Sequence, residues 1–500
     1  MNEPMNRYDK RLFCHDLPTK PDPTMGIILV TGATGYIGGR LVTELLARGY
    51  RVRIMVRVAS PDHQERWPGA EIVTGDALSV PCLTDAFKGV HGAYYLIHSM
   101  LLGQDEFETV DIMAAVNFRK AAESQGVERI IYLGGLGDSR DSLSPHLRNR
   151  NQVGATLKGG RVAVTELRAA IIMGSGSVSH EIIKSLVVDA PILPLPAWSR
   201  TRCQPIAIRD VVKYLVGVLE IPDTAGRSFD IGGPDILTYG EMIRTMARIL
   251  NKKPWFMPSP IQSVSVNAYL VSLITPVPAT ITRALFEGIV NEVVCRENRI
   301  RQSLWFDLLS YEESVKRALA MEDLNTVTTR WSDAYPRDYS LAVRLDQLPR
   351  PPLYTSTCSI ESTKTAQAIF RSVCGIGGER GWFHSNLLWK LRGMADRMMF
   401  GVGTARGRKH SVGLKVNDVI DFWRVERIIY DAHLLLRAEM QVPGFAWLEF
   451  TVEPSRGRHL LTVTAYFHPR GMWGKIYWYA MLPFHYFIFT DIIRQIEAAA

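Results

Sequence analysis

The segment Ile28-Leu-Val-Thr-Gly-Ala-Thr-Gly-Tyr-Ile-Gly38 constrains this chain more than any other. An apolar strand runs into Gly32, Gly35 and Gly38, and an amphipathic helix follows, from about Tyr36 to Arg48, with Ile37, Leu41, Leu45 and Leu46 on one side. Gly49 is a natural stop. Arg51 to Arg57 then alternates, with Val52, Ile54 and Val56 facing one way and Arg51, Arg53, Met55 and Arg57 the other. Strand, glycine turn, helix and strand make a complete βαβ unit. Three glycines at this spacing let the backbone turn tightly and approach a diphosphate closely. The diphosphate then lies on the positive helix N-terminus, whose amides have no internal partner. The alternative is a tight turn with no ligand, which does not call for three glycines.

The second strand bears on which nucleotide fits. An NAD site places an acid near this strand's end, for the ribose 2′-hydroxyl. Here Arg57 stands there, and no acid follows until Asp62. An arginine suits a 2′-phosphate through charge-assisted hydrogen bonds, which favours NADP, with NAD the alternative. Arg53 and Arg57 as plain solvated strand residues is the other reading.

Strands continue at Glu71–Asp76, Ala93–His98, Arg129–Leu133 and Val164–Ile172, with a helix over Phe107–Gln125 whose apolar residues are Val110, Met113, Ala114 and Phe118. Alternating strands and helices predict an α/β fold with a doubly wound parallel sheet. Ligands in such sheets sit beyond the carboxyl ends of the strands, which brings Asp76, His98, Ser99, Gly134 and Gly135 towards the nucleotide. From about 174 to 330 the pattern loosens into loops and short elements that cap a substrate pocket, with one more strand near Phe229.

The predicted organisation is a floppy tail at 1–24, a nucleotide-binding region with its cap at 25–330, a proline-rich linker at 331–353 and a second domain at 354–500. In the last, helices are expected over Lys364–Val373 and Asn386–Phe400. Period-two alternation follows in Leu434/Leu436/Ala438/Met440, Ala446/Leu448/Phe450/Val452 and Leu461/Val463/Ala465/Phe467, after a candidate strand at Phe422–Ile429. That pattern predicts an antiparallel sheet with one buried face. An aromatic segment from about Trp473 to Ile496 closes the chain, and its uncharged run, Ile476 to Thr490, falls short of the roughly 20 residues that span a bilayer. A helix packed on the sheet is the first reading; an interfacial membrane helix is the second.

The remaining composition excludes classes of function. A hydrophobic content of 47% rules out a wholly disordered chain. The six cysteines are scattered without a C-x-x-C pair, which fits a reducing, cytoplasmic setting and neither a disulfide framework nor a metal site. The net charge is +8, yet the basic residues are dispersed, with the densest cluster at Arg406-Gly-Arg-Lys-His410, and no nucleic-acid-binding signature emerges.

Thr31-Gly-Ala-Thr-Gly-Tyr-Ile-Gly38, Val56-Arg57, Gly75-Asp76 and Tyr132-Leu-Gly-Gly135 resemble the atypical short-chain dehydrogenase/reductases, in particular the NmrA-like and complex I 39-kDa-subunit-like branch. The resemblance covers about residues 25–325. It implies a Rossmann core with NAD(P) held by Thr31, Gly32, Thr34, Gly35, Tyr36, Ile37, Gly38, Arg57, Asp76, Ala77, His98 and Gly134. The segments Arg380–Phe383, Leu387–Arg392, Asp421–Glu426 and Lys475–Tyr479 resemble a bacterial domain fused behind such cores. That resemblance implies an α+β, START-like (polyketide-cyclase-like) helix-grip fold around an apolar cavity.

The family's active members use Tyr-x-x-x-Lys after the fifth strand, with an upstream serine. Residues 137–160 contain no tyrosine, and Gly134 and Gly135 stand where the serine is found. His146 and Arg150 occupy the slot, four apart on one helix face. His146 is a candidate proton donor and Arg150 a candidate ribose or anion holder, with His98 and Ser99 a second pair. The bland reading is that His146 covers the helix. Three functions follow as expectations: an NADPH-preferring oxidoreductase of a hydrophobic carbonyl, enone or quinone; a non-catalytic NADP(H) redox sensor or assembly factor; and a lipid or isoprenoid binder regulated by nucleotide, with peripheral membrane contact.

Overall fold

The computed structural model describes residues 12–98, 104–137, 143–324, 326–334, 343–348, 350–378, 381–382, 386–398, 401, 403, 406, 408 and 413–500. The chain forms two compact units, residues 1–274 with 280–334, and residues 335–500 with 275–279.

The first unit is built on seven strands: β1 (Ile27–Thr31), β2 (Arg51–Val56), β3 (Glu71–Thr74), β4 (Val90–Tyr95), β5 (Arg129–Gly135), β6 (Ala163–Ala169) and β7 (Ser228–Ile231). Their order across the sheet is β7-β6-β5-β4-β1-β2-β3, and every pairing is parallel. The central strands β1 and β5 are nearly continuous apolar runs because helices cover both faces. One face packs Leu41, Leu45, Val211 and Leu215, from α1 (Tyr36–Ala47) and the helix Ile208–Glu220, against Ile28, Val30 and Ile54. The other packs Phe118, from α2 (Gln104–Ser124), against Tyr95 and Phe87 at ring separations of 4.9 and 4.8 Å. The strand order reverses between β1 and β4, and in an open parallel sheet the crevice at that point is the ligand site.

The α2 helix differs from the expected phase. Met113 is half exposed, and the buried stripe is Asp111, Ala114, Ala115, Phe118, Ala121 and Ala122. Of the expected Val110, Met113, Ala114 and Phe118, the last two are buried; the stripe turns away from Met113 and carries a carboxylate onto the apolar side. The segment 12–24, expected as a floppy tail, packs on the domain instead. Cys14 and Leu17 are buried, the Phe13 and Cys14 amides donate to Glu44 at 2.6 and 3.1 Å, and Asp16 pairs with Lys213 at 2.6 Å. Burial raises the Glu44 pKa, and the two amides oppose that.

The second unit has strands β8 (Tyr354–Ser362), β9 (Val419–Ile420), β10 (Trp423–Ile429), β11 (His433–Ala438), β12 (Gly444–Ser455) and β13 (Arg458–Pro469). They form one antiparallel sheet in the order β8-β13-β12-β11-β10-β9. The edge strand β8 went unread because Thr-Ser-Thr-Cys-Ser carries little apolar signal. α3 (Gly471–Ala499) packs on this sheet through Ile488, Phe489, Ile492, Ile493 and Ile496, beside Phe450, Val463 and Phe467. Among the described residues, no helix is long and apolar enough to cross a membrane.

Candidate functional site

β1 ends at Gly32, whose φ of +73° favours glycine and whose added Cβ would lie 2.5 Å from the Leu96 carbonyl oxygen. At Gly38 a Cβ would lie 2.2 Å from the Gly32 oxygen. These two glycines are demanded by the fold itself, which needs helix and strand that close. Gly35 is different. It caps α1 at φ −78°, and a Cβ there would meet one protein atom, the Gly32 oxygen, at 3.2 Å. Little in the protein requires that position to be bare, whereas a ligand approaching the backbone does. The cap has no side-chain hydrogen bond and the first turn no acid, so the first amides and the helix dipole face the crevice.

At the neighbouring strand ends the loop after β2 and β3 brings Arg57 and Asp76 together. Val56 pairs with Thr74, and the Gly75 amide donates to the Val56 carbonyl at 3.0 Å. Both side chains are exposed, and Asp76 also accepts the Leu78 amide at 2.9 Å. Ala77 is buried beside them.

On the far side of β1, an apolar cavity of about 250 Å³ opens at the carboxyl ends of β5 and β6. Ile37, Gly134, Leu147, Ile183 and Phe286 line it, and His98, His146, Arg150, Ser179 and Tyr239 are polar members of its wall. The His98 and His146 rings lie 5.1 Å apart. His98 Nδ1 is 3.4 Å from Oδ2 of Asp111, a carboxylate 2% exposed on α2. The same oxygen accepts Nδ2 of Asn149 at 2.9 Å, from the helix Pro145–Lys158 that also carries His146 and Arg150. Arg150 lies over the Tyr132 ring at 5.0 Å and donates to the Leu133 carbonyl. Tyr132 in turn donates to the Arg150 carbonyl at 2.9 Å, and burial pushes its phenol up to about 12.

Residues 32–173 match the NAD(P)H-binding family. The chain carries an NAD(P)-binding domain. Residues 349–492 match a second family, described as a protein of unknown function (DUF2867). The ceramide reductase of Caulobacter vibrioides is 28% identical over 235 residues, 46% of this chain and 72% of that protein. The divinyl chlorophyllide a 8-vinyl-reductase of Zea mays is 26% identical over 251 residues, and the match spans 47% of this chain and 62% of that protein. Among solved structures, the Citrobacter triphenylmethane reductase complexed with NADP(H) is 21% identical, with a TM-score of 0.48 over 58% of this chain and 99% of that one.

Within the NAD(P)-binding domain, the glycines, Thr34, Tyr36 and Ile37 all lie at the β1–α1 turn. Thr31, which precedes the turn, and Tyr36 have other attachments. The Thr31 hydroxyl donates to the Tyr94 carbonyl at 2.8 Å and so ties β1 to β4, while the Tyr36 carbonyl accepts Arg40 and Thr329 at 3.1 and 2.8 Å. Arg57 and Asp76 lie at the carboxyl ends of β2 and β3, and His98, Gly134, His146 and Arg150 at the apolar cavity beside β5 and β6. Ser99 and the cluster members Gly407, Lys409 and His410 lie outside the described residues. Sequence reading missed Asp111 and Asn149. The available signal for Asp111 was its spacing to Ala114, Ala115 and Phe118, which places an acid on a buried stripe. Among the described residues, no cluster of His, Cys, Asp or Glu could hold a metal ion.

Proposed function

We propose that this chain is an NAD(P)H-dependent reductase of a hydrophobic carbonyl, enone or quinone, with NADPH preferred through Arg57. The observation that carries the reading is the apolar cavity at the end of the β1–α1 crevice, with a histidine pair backed by a buried carboxylate in its wall. Bound NADPH supplies a hydride; the chain's own residues do the rest. The Gly35 amide is taken by the Gly32 carbonyl at 3.0 Å, and the amides of the first turn of α1 beyond it would hold the diphosphate. Leu147, Ile183 and Phe286 exclude water and seat an apolar substrate. His98 and His146 hold the proton that the reduced substrate takes up, and Asp111 stabilises the imidazolium form of His98. Arg150, fixed against Tyr132, would hold the ribose or an anion of the bound nucleotide. Both relatives reported above are reductases by name, which supports reduction as the chemistry.

The test is NADPH oxidation by purified protein against a panel of quinones, enals and ketones. Turnover that falls roughly 100-fold in His146→Ala, with NADPH affinity retained, supports the assignment. Tight NADPH binding with no turnover on any member of the panel refutes it. That second result is what a non-catalytic NADP(H) sensor predicts, and the lack of any tyrosine in residues 137–160 favours this reading as the runner-up. A sensor must also bind NADP⁺ and NADPH with different affinities, since equal affinity shifts no equilibrium. For the second unit we propose a helix-grip, START-like arrangement, supported by the antiparallel sheet with α3 laid on it.

A further inference from the structure

The C-terminal helix α3 carries two opposite faces, and both are apolar. Gly474, Trp478, Ile488, Phe489, Ile492 and Ile496 are buried against its own sheet. A surface helix then turns charged residues to water. On α3 the outer arc instead presents Met472, Trp473, Ile476, Tyr479, Tyr486 and Phe487. Trp473 is 77% exposed, Tyr486 70% and Phe487 69%. At about 100° per residue they gather on one arc, roughly 140° wide, opposite the buried side. Between Ile476 and Thr490 no charged residue interrupts them.

The charges that border this arc are of one sign. Arg470 precedes the helix, and Lys475 and Arg494 are the exposed charges on it. Its two acids, Asp491 and Glu497, are half-buried, and Glu497 accepts the Ser362 hydroxyl at 3.0 Å. Tryptophan and tyrosine with an apolar body and a polar edge, flanked by lysine and arginine, form the side-chain set that settles at the headgroup level of a bilayer. The run of uncharged residues is too short to span a bilayer, so the helix lies along the surface.

We propose that the outer face of α3 docks this protein on an anionic lipid bilayer, with the aromatic arc in the headgroup–acyl boundary and Arg470, Lys475 and Arg494 on lipid phosphates. The occupant is lipid because the surface combines aromatic and cationic character with no exposed acid along the arc. The proposal does not depend on the reductase reading.

Flotation of the full chain with vesicles tests it, using phosphatidylcholine alone and phosphatidylcholine with about 30 mol % phosphatidylglycerol. Wild type is expected to float with the anionic vesicles, and less so at high salt. Trp473→Ser, Tyr479→Ser and Phe487→Ser combined should cut binding at least roughly tenfold, with circular dichroism and NADPH binding unchanged. Lys475→Glu with Arg494→Glu, which leaves the aromatic arc intact, should abolish the preference for anionic vesicles. Absence of flotation with either vesicle at low salt overturns the proposal, as does binding insensitive to both variants. A wild-type dimer that the triple serine variant converts to monomer, without flotation, also overturns it and assigns the face to a second copy.

Discussion

Gly35→Ala and Gly38→Ala separate what the fold needs from what a ligand needs. At Gly38 the new Cβ would sit 2.2 Å from the Gly32 oxygen and 2.8 Å from its carbonyl carbon. Both are backbone atoms, so strand and helix must part. Overpacking of that kind costs about 1–3 kcal/mol, so Gly38→Ala should melt several degrees lower. At Gly35 the single contact is 3.2 Å, φ is already negative, and the change is from a tolerable N-cap to a poorer one, at about 1 kcal/mol or less. The methyl there stands where the diphosphate must touch the backbone. Losing one charge-assisted hydrogen bond costs about 1.5–3 kcal/mol, or roughly 10- to 150-fold in affinity. Fluorescence titration with NADPH and thermal melts of both variants give the two readouts. The reasoning is wrong if Gly35→Ala binds NADPH within about twofold of wild type, for then the bare position serves no ligand.

Three further outcomes follow. Arg57→Ala should weaken NADPH roughly tenfold and leave NADH unchanged, measured as the ratio of the two dissociation constants; equal losses would place Arg57 outside the 2′-phosphate site. Asp111→Asn should lower kcat about 10- to 100-fold and shift the pH–rate profile to lower pH, because the neutral amide no longer stabilises the His98 imidazolium. A fall in melting temperature with an unmoved profile would make Asp111 merely structural. In the second unit, burial against Trp478 and Phe489, whose rings lie 5.0 Å away, pushes His485 down to about 4. Between the ordinary histidine value and that one, the unfolded chain binds a proton that the folded chain does not. Stability therefore rises with pH across this window and is lost as pH falls through it, by at most about 1.4 kcal/mol per unit. Urea titrations from pH 4 to 7 should show that slope in wild type and a flatter one in His485→Phe.

The glycine loop was legible in sequence because strand, turn and helix are consecutive and Gly38 answers to Gly32 nearby, although what crowds Gly32 is the distant Leu96 carbonyl. The parallel sheet was legible for a related reason, since β1 and β5 are largely apolar, β2 alternates, and helical periodicity separates the strands. What escaped depends on distant partners. Phe13 and Cys14 settle on Glu44, an acid whose burial no local pattern announces. Thr31 sits in a nucleotide motif, yet its hydroxyl is spent on Tyr94, from a strand that arrives 63 residues later. β8 pairs with β13 along its whole length while offering only Tyr354, Cys358 and Ile360 to the core. Asp111 was hidden by a phase error: Val110 and Met113 look like core residues, and the packing chose their neighbours.

That phase decides how the site is to be understood. A carboxylate 2% exposed on a helix face otherwise made of alanine and phenylalanine is expensive to bury, and a small apolar residue would pack there at less cost. The sequence breaks its own pattern at one position of α2. That position lies at the carboxyl ends of the strands, 3.4 Å from a histidine in the wall of the apolar cavity. Asn149 reaches the same oxygen from the helix that carries His146, so two helices converge on one acid. Chains that fold well keep local and global preferences in agreement, and violate them where chemistry requires. That rule supports the proposed proton role of His98 beside His146, with Asp111 behind it. A double change, Asp111→Ala with His98→Leu, should then restore or raise stability relative to Asp111→Ala alone while turnover stays abolished. Recovery of turnover in the double variant would move the proton donor to His146 alone.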